Sequence, residues 1–179
     1  MPILQQIEVD FREQQYFQGT RVLVCIHLEA KTAYLAQILA AGGAEVAVTG
    51  SNSHSTKDDV VAALVDEGLH VFARYGATPE EMHQFMNYAL DLRPNMVVDD
   101  GGDLLELLHN ERQQLLPDVW GVCEETTTGV LRAKARAKAG LLEFPVISVN
   151  DARCKYLFDN FHGTGQSVLD GVMRTTNLV

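Results

Sequence analysis

Ionisable and amide side chains follow four short apolar runs in this sequence of 179 residues. The clearest example is residues 119–129, where an apolar run ends at two adjacent carboxylates, Glu124 and Glu125, and three threonines and a glycine follow. The polar groups after the four runs are His27, Glu29 and Lys31; Asp99, Asp100 and Asp103; Glu124, Glu125 and Thr126; and Asn150, Asp151, Lys155, Asp159 and Asn160. Carboxylates accept hydrogen bonds from hydroxyl groups, and a desolvated lysine can serve as a base. We therefore expect one polar cleft that binds a ligand with several hydroxyls.

The same residues also have simpler structural interpretations. A short polar residue after a strand often caps the next helix, which is the commoner explanation for Ser55 or for an aspartate such as Asp103. The doublet Glu124-Glu125 is harder to explain in this way, because neither carboxylate occupies the expected capping position. His27 alone is equally compatible with a hydrogen-bonded core histidine and with a proton carrier.

The composition argues against several classes of function. A net charge of −10 disfavours nucleic acid as a partner, because that binding depends on basic patches. No apolar run approaches the ~20 residues that a membrane span requires, and the polar first 20 residues do not resemble a signal peptide. The three cysteines form no C-x-x-C pair, and we expect them to be buried in a protein of the reducing cytoplasm. The histidines lack metal-ligand spacing, so no metal site is predicted.

The polar groups must be positioned by regular strands and helices. Six runs rich in β-branched residues predict strands at 21–26, 45–48, 70–73, 96–98, 119–123 and 144–149. Segments with apolar residues at helical spacing predict helices at 3–16, 30–41, 58–67, 79–92, 103–116, 130–139 and 167–176. Thr78 before Pro79 is a strong helix start, and Ser55 or Thr56 is the expected cap of the helix at 58–67. Strands that alternate with helices predict a single doubly wound, Rossmann-like α/β domain, with a mostly parallel sheet of about six strands and helices on both faces.

Four longer strings occur in a fixed order along the chain. They are His27-x-x-x-x-Thr32-Ala33, Asp99-Asp100-Gly101-Gly102-Asp103-Leu104, Glu124-Glu125-Thr126-Thr127-Thr128-Gly129-Val130 and Asn150-Asp151-x-x-x-Lys155-x-x-x-Asp159-Asn160. Together they resemble the N-terminal substrate-binding domain of the S-adenosylhomocysteine hydrolase (adenosylhomocysteinase) family. The resemblance covers nearly the whole chain, residues 1–179, and its second and third strings are long and specific.

The resemblance implies a reaction and roles for matching residues. In that family S-adenosylhomocysteine is cleaved reversibly to adenosine and homocysteine. The ribose 3′-hydroxyl is first oxidised with a tightly held NAD, homocysteine leaves the 5′ carbon, water adds, and the ketone is reduced again. Glu125, Lys155 and Asp159 would hold and activate the ribose hydroxyls, with Lys155 as the base for the 3′-hydroxyl. His27 and Asp100 would lie near the 5′ carbon and handle the leaving group and water.

The resemblance also places Glu29, Lys31 and Thr32 near the base of the nucleoside, and Thr126 against the substrate. Family members typically carry a Glu or Gln where Lys31 stands, and such a side chain can accept a hydrogen bond from the adenine 6-amino group. Lysine is only a donor and would suit a 6-oxo purine nucleoside such as S-inosylhomocysteine. In the alternative, Lys31 turns to solvent and Glu29 makes the contact to the base.

The family continues into a separate NAD-binding domain that is absent from this chain. The resemblance assigns only part of the cofactor contact here, namely to Thr126, Thr127, Thr128 and Asn160. We therefore expect NAD to be held mainly by the missing domain. We expect no cofactor to bind this chain alone, and we expect the isolated domain to be inactive. The longer parent would be a homo-oligomer. The competing hypotheses are a non-catalytic nucleoside-binding or regulatory module and, less favoured, a signalling receiver, in which the E-E-T-T-T-G string has no role.

Overall fold

Residues 1–178 are described by the computed structural model. The strands are β1 (Arg21–Ile26), β2 (Glu45–Gly50), β3 (His70–Phe72), β4 (Met96–Asp99), β5 (Gly121–Glu124) and β6 (Val146–Ser148). The α-helices are α1 (Pro2–Gln14), α2 (Ala30–Ala41), α3 (Asp58–Asp66), α4 (Pro79–Leu90), α5 (Asp103–Asn110), α6 (Thr127–Lys138) and α7 (Gly165–Thr176). Two 3₁₀ segments (Gln113–Asp118 and Val149–Asp151) and a π-helix (Lys155–Thr164) complete the described chain.

The six strands form one parallel sheet in the order β3-β2-β1-β4-β5-β6. The strand order reverses between β1 and β4, because the chain first winds outward to β3 and then returns to the middle. This arrangement confirms the prediction of a doubly wound, Rossmann-like domain. In such sheets, ligands bind outside the carboxyl ends of the strands at the point of reversal.

The core has two layers because successive side chains of a strand point to opposite faces of the sheet. Val22 and Val24 of β1 pack on one face, together with residues of α2 and α3. Leu23 and Cys25 of the same strand pack on the other face, together with residues of α4 and α5. Helices therefore cover both faces, as the uninterrupted apolar strands predict.

Several predicted boundaries are wrong, each for a local reason. The helix that starts at Asp103 ends at Asn110, where the N–H groups of Glu111 and Arg112 both bond to the Leu107 carbonyl, and a separate 3₁₀ segment containing Pro117 follows. Neither Ser55 nor Thr56 caps α3: its capping position is occupied by Lys57, and the Thr56 hydroxyl donates to the Asn52 carbonyl instead.

Of the three cysteines, only Cys25 is buried as predicted. Cys123 is partly buried, and Cys154 is exposed. Cys154 precedes a segment in which every residue from Tyr156 to Leu178 is exposed. That segment comprises most of the π-helix and all of α7, so the expectation of a buried thiol fails because the C-terminal part lies outside the core.

The start of α4 agrees with its sequence in atomic detail. The Thr78 hydroxyl accepts the Glu81 N–H at 3.3 Å, and the Glu81 carboxylate accepts the Thr78 N–H at 2.8 Å. This reciprocal capping box satisfies two N–H groups that lack partners within the helix.

Thr78→Ala is expected to lower the free energy of unfolding by about 1 kcal/mol, because it removes the acceptor for the Glu81 N–H. Urea denaturation followed by circular dichroism measures the loss. Thr78→Ser keeps the oxygen and should retain nearly full stability. Equal losses in the alanine and serine variants would contradict this explanation.

Candidate functional site

The ends of β1, β4 and β5 meet in one cleft at the point where the strand order reverses. The cleft has a volume of about 520 Å³, and its lining includes the predicted residues His27, Glu29, Lys31, Thr32, Asp100, Glu125 and Asp159. Parallel strands bring their carboxyl ends to the same edge of the sheet, so residues that are nearly 100 positions apart become neighbours. The expectation of one polar cleft is therefore confirmed for the ends of β1, β4 and β5, whereas Asn150, Asp151, Lys155 and Asn160, which follow β6, line a separate cavity.

Lys155 lies beside this cleft with its ammonium group among four oxygen atoms. Its Nζ donates to Oδ1 of Asn150 at 2.9 Å and to Oδ1 of Asn160 at 2.5 Å. The same atom lies 3.3 Å from Oε1 of Glu125 and 3.8 Å from Oδ2 of Asp159. Only 12% of the lysine side chain is exposed. The end of β5, the 3₁₀ turn and the π-helix thus bring one amine and two carboxylates to one point.

His27 and Asp100 form a second group on the other side of the cleft. Nε2 of His27 lies 3.4 Å from Oδ2 of Asp100, and Ser51 donates to the same oxygen at 2.9 Å. Oγ of Ser55 lies 2.6 Å from Nδ1 of His27 and donates its own proton to the Asn52 carbonyl at 3.1 Å. Oγ has one proton, and when it donates that proton to the Asn52 carbonyl it accepts from a protonated Nδ1 of His27. In that tautomer Nε2 is the nitrogen that exchanges a proton with Asp100 or with a ligand.

Ser51 and Ser55 were not among the predicted site residues, although Ser55 was considered as a helix cap. The available signal was the density of short polar residues in the segment 50–56 after β2. That segment could not be assigned to the site from sequence, because its contact with His27 depends on the neighbouring position of β1 and β2.

Ser55→Ala is expected to change the neutral His27 ring from the Nδ1–H form to a mixture of both tautomers. Long-range ¹H–¹⁵N correlation spectra of the imidazole report the proton position directly. Ser53→Ala is the matched control, because Ser53 lies in the same loop and uses its backbone carbonyl, which accepts the Gly76 N–H. An unchanged tautomer in the Ser55 variant would contradict the assigned direction of this hydrogen bond.

The segment expected near the nucleoside base lies at the mouth of the cleft. Nζ of Lys31 is 3.8 Å from Oε1 of Glu29, and the two side chains are 79% and 48% exposed. Thr32 is buried, and its hydroxyl donates to the His27 carbonyl. Lys31 and Glu29 are thus both free to reorient toward a ligand, whereas Thr32 fixes the turn that carries His27.

A second cavity of about 590 Å³ lies on the other side of Lys155. Its lining combines amide, hydroxyl and aromatic groups with the charged side chains of Asp151 and Lys155. Two of the four residues predicted to reach a cofactor, Thr127 and Asn160, lie here. Within residues 1–178, Thr126 and Thr128 line neither cavity; Thr126 occupies the capping position of α6, where its side chain makes no capping hydrogen bond.

The two carboxylates of the doublet at the end of β5 have different environments. Glu125 lines the cleft, whereas Glu124 is buried in the interior. Oε1 of Glu124 accepts the N–H groups of Gly101 at 2.9 Å and of Thr126 at 3.0 Å. The residue in the capping position of α6 is Thr126, so neither carboxylate occupies that position, as predicted, although α6 begins three residues earlier than expected, at Thr127.

The described residues contain neither a metal-binding cluster nor a helix able to span a membrane. Between residues 1 and 178, no cluster of three or more His, Cys, Asp or Glu side chains has an arrangement that could hold a metal ion. Over the same range, no helix combines the length and the apolar character needed to cross a membrane.

Comparison with known proteins identifies the family of the chain. A sequence profile described as S-adenosyl-L-homocysteine hydrolase matches residues 1–119 and 111–169. An adenosylhomocysteinase of Pyrococcus abyssi is 54% identical over all of this chain and 42% of its own length. S-inosyl-L-homocysteine hydrolases of Methanocaldococcus jannaschii and Methanococcus maripaludis are 53% and 50% identical, again over the whole chain and 43% of their own length. The chain thus spans less than half the length of these curated relatives. It belongs to the S-adenosyl-L-homocysteine hydrolase family.

Proposed function

We propose that residues 1–179 are the substrate-binding domain of an enzyme that cleaves S-adenosylhomocysteine or a close nucleosyl analogue into a nucleoside and homocysteine. One observation carries this proposal: Glu125 and Asp159, which contact the adjacent Lys155, line the same cleft as His27 and Asp100. The reaction needs proton transfer at two separated positions of one ribose, and the cleft offers one group for each. Because the chain spans 42–43% of its relatives, we assign turnover to a longer protein and binding to this part.

The lysine group is the proposed ribose site. Glu125 accepts hydrogen bonds from ribose hydroxyls, since its carboxylate can only accept when ionised. Asp159 reaches the same region from the π-helix. Nζ of Lys155, held by the amide oxygens of Asn150 and Asn160, takes the proton of the 3′-hydroxyl after it has lost one of its own. Its low exposure keeps bulk water from competing for that transfer.

The histidine group is the proposed site for the 5′ end of the substrate. The hydrogen bond from Nδ1 to Ser55 directs Nε2 toward Asp100 and the cleft. His27 and Asp100 can therefore hand a proton to the departing homocysteine sulfur and remove one from the water that replaces it. Ser51 keeps the Asp100 carboxylate oriented.

The second cavity provides groups that fit part of a dinucleotide. The amides of Asn150 and Asn160, the hydroxyl of Thr127 and the exposed ring of Phe161 suit the carboxamide, hydroxyls and flat ring of a nicotinamide-ribose portion. These residues would hold one edge of NAD, and a dinucleotide-binding domain of the longer protein would hold the rest. When bound, NAD supplies the oxidant for the ribose 3′ carbon, which side chains cannot provide.

Lys31 supports a second candidate, an enzyme for a 6-oxo purine nucleoside such as S-inosylhomocysteine. Its ammonium group lines the cleft and can donate to a purine 6-oxygen, whereas an adenine 6-amino group needs an acceptor such as Glu29. Similar relatives carry both names. The third hypothesis, a non-catalytic nucleoside-binding module, is less favoured because all proposed proton-transfer groups are retained.

The cellular setting follows from the same proposal. The three free cysteines support the reducing cytoplasm, and the net charge of −10 supports a small-molecule ligand over nucleic acid. We propose a homo-oligomer for the longer protein.

Calorimetric titration of the chain with adenosine and with inosine tests the proposal. We expect binding of at least one nucleoside, and its loss in Glu125→Ala. Lys31→Ala should reduce a preference for inosine, and Lys134→Ala, a matched change on the exposed face of α6, should leave it unchanged. The absence of binding up to millimolar concentrations of both ligands would contradict a ribose site formed by this domain alone.

A further inference from the structure

Two buried carboxyl groups lie next to each other beneath the cleft. Asp99 is the last residue of β4 and Glu124 the last residue of β5, and the two are paired in register. Their exposed fractions are 0% and 1%. No lysine, arginine or histidine within residues 1–178 forms an ion pair with either. Burying two uncompensated negative charges at this depth is costly. At least one of the two carboxyl groups must therefore be protonated.

The hydrogen bonds indicate where a proton can reside. Oδ1 of Asp99 accepts the Asp100 N–H at 3.0 Å, and Oδ2 accepts the Leu105 N–H at 3.2 Å. Oε1 of Glu124 accepts two N–H groups, from Gly101 and Thr126. Oε2 of Glu124 is buried and, within the described chain, has no hydrogen-bond partner. It is the one oxygen of the four whose lone pairs are not already occupied by a backbone donor.

The space around Glu124 leaves little room for any other partner. A Cβ atom added to Gly129 would lie 2.1 Å from the Glu124 carboxyl carbon, so α6 packs directly against the carboxyl group. A water molecule or a cation cannot enter from that side. The in-register neighbour Asp99 is the remaining candidate to share a proton with Oε2.

We propose that Asp99 and Glu124 share one proton and act as positioning residues for Asp100 and Glu125, the adjacent carboxylates in the cleft. This inference rests on the proposed function for the roles of Asp100 and Glu125. Glu124 binds the backbone of Gly101, and the Asp99 carbonyl accepts the Glu125 N–H at 2.9 Å. The pair therefore ties together the ends of β4 and β5. Loss of the shared proton would place two charges side by side and push these ends apart.

The surrounding charges agree with this assignment. Burial, and then the neighbouring Glu124 carboxylate, raise the pKa of Asp99 to about 8. Burial also raises the pKa of Glu124, against the effect of its two backbone N–H donors. The other ionisable groups facing the pair are Asp100; Asp103, which is paired with Arg132; Glu125, which is paired with Lys155; and the Cys25 thiol of β1. The cations nearby are thus already engaged by carboxylates at the surface.

Carboxyl-detected ¹³C NMR of the uniformly labelled chain, without ligand, tests the shared proton. We expect the side-chain carboxyl carbon of Asp99 to titrate with a midpoint near pH 8, and the carboxyl carbon of Glu124 to shift in the same step because the two share the proton. The amide signals of Gly101 and Thr126 should follow the same midpoint, since their N–H groups bind Glu124. Independent titration of both carboxyls in the ordinary acidic range would overturn the proposal.

Glu124→Gln separates proton sharing from simple packing. Glutamine keeps an oxygen for Gly101 and Thr126 and offers a permanent N–H toward Asp99, so the midpoint of Asp99 should fall by roughly 1–3 pH units. An Asp99 midpoint that stays near pH 8 in this variant would overturn the pairing. The matched control Glu106→Gln removes a carboxylate of α5 outside the pair and should leave the midpoint unchanged.

The pH dependence of nucleoside affinity tests whether the pair positions Asp100 and Glu125. Nucleoside affinity of the chain should fall above about pH 8 in the native sequence, and this fall should disappear in Glu124→Gln. A pH profile that is identical in both proteins would contradict the positioning role. Because the NMR titration needs no ligand, it distinguishes failure of this inference from failure of the proposed function.

Discussion

Replacing Lys155 with methionine is expected to lower turnover by about 10²–10⁴-fold, because a positioned general base contributes on that order. Methionine keeps the length and packing of the side chain but can neither accept nor donate the proton of the 3′-hydroxyl. The measurement is single-turnover reduction of NAD, followed by absorbance, in the longer protein that carries a dinucleotide-binding domain. Substrate binding should weaken much less, since Glu125 and Asp159 remain.

Lys155→Arg is the informative comparison. Arginine preserves the positive charge among the oxygens of Asn150, Asn160, Glu125 and Asp159, but it does not deprotonate in proteins. We therefore expect the arginine variant to bind substrate and to remain nearly as slow as the methionine variant. Turnover close to the native rate with arginine would exclude Lys155 as the base and leave it only an electrostatic role.

The second large expected effect is a fall in the free energy of unfolding as pH rises. The pKa of Asp99 is about 8 in the folded protein against an ordinary value of 3.8, so the folded state retains a proton that the unfolded chain releases. Its stabilising contribution is fully present below about pH 4 and is lost as pH rises through about 8. The shift corresponds to a loss of on the order of 5 kcal/mol in the free energy of unfolding.

Urea denaturation at about pH 5 and about pH 9 measures most of this loss, because the contribution has only begun to decline at pH 5. Glu8 and Glu81 act in the opposite sense, since hydrogen bonds lower their pKa values, but their contributions change only below about pH 4.5. Glu124→Gln should flatten the dependence, and Glu106→Gln should not. A native protein that is equally stable at both pH values would contradict the raised pKa of Asp99.

Most of the architecture could be predicted because the strands are short, apolar and regularly separated by helices. That pattern determines a parallel sheet, and a parallel sheet determines which loops meet. The cleft residues His27, Asp100 and Glu125 follow from this argument without atomic detail. The start of α4 at Thr78 could also be predicted from sequence, because both partners of its capping box lie within four consecutive residues.

The predictions that failed depend on packing between distant segments. Ser55 was considered as a cap because its sequence neighbours suggest one, but its hydroxyl contacts His27, which directly follows β1. Glu124 was grouped with Glu125 because the two are adjacent in sequence, but the alternation of side chains at the end of β5 buries the first carboxyl and leaves the second partly exposed. Cys154 was expected inside because cysteine usually is, whereas the segment after it lies outside the core.

The pairing of β4 with β5 has a consequence for how this region tolerates change. Asp99 and Glu124 are opposite each other at the ends of their strands. The residue that follows each of them, Asp100 or Glu125, lines the cleft. A point substitution removes one group and leaves the others in place. Deleting a single residue within 119–123 would instead slide Glu125 into the interior and bring Thr126 to the cleft, because adjacent side chains face opposite directions. A deletion scan should therefore be far more damaging here than a substitution scan, and insertions that accumulate over evolution are expected in the surface loops and not in this strand.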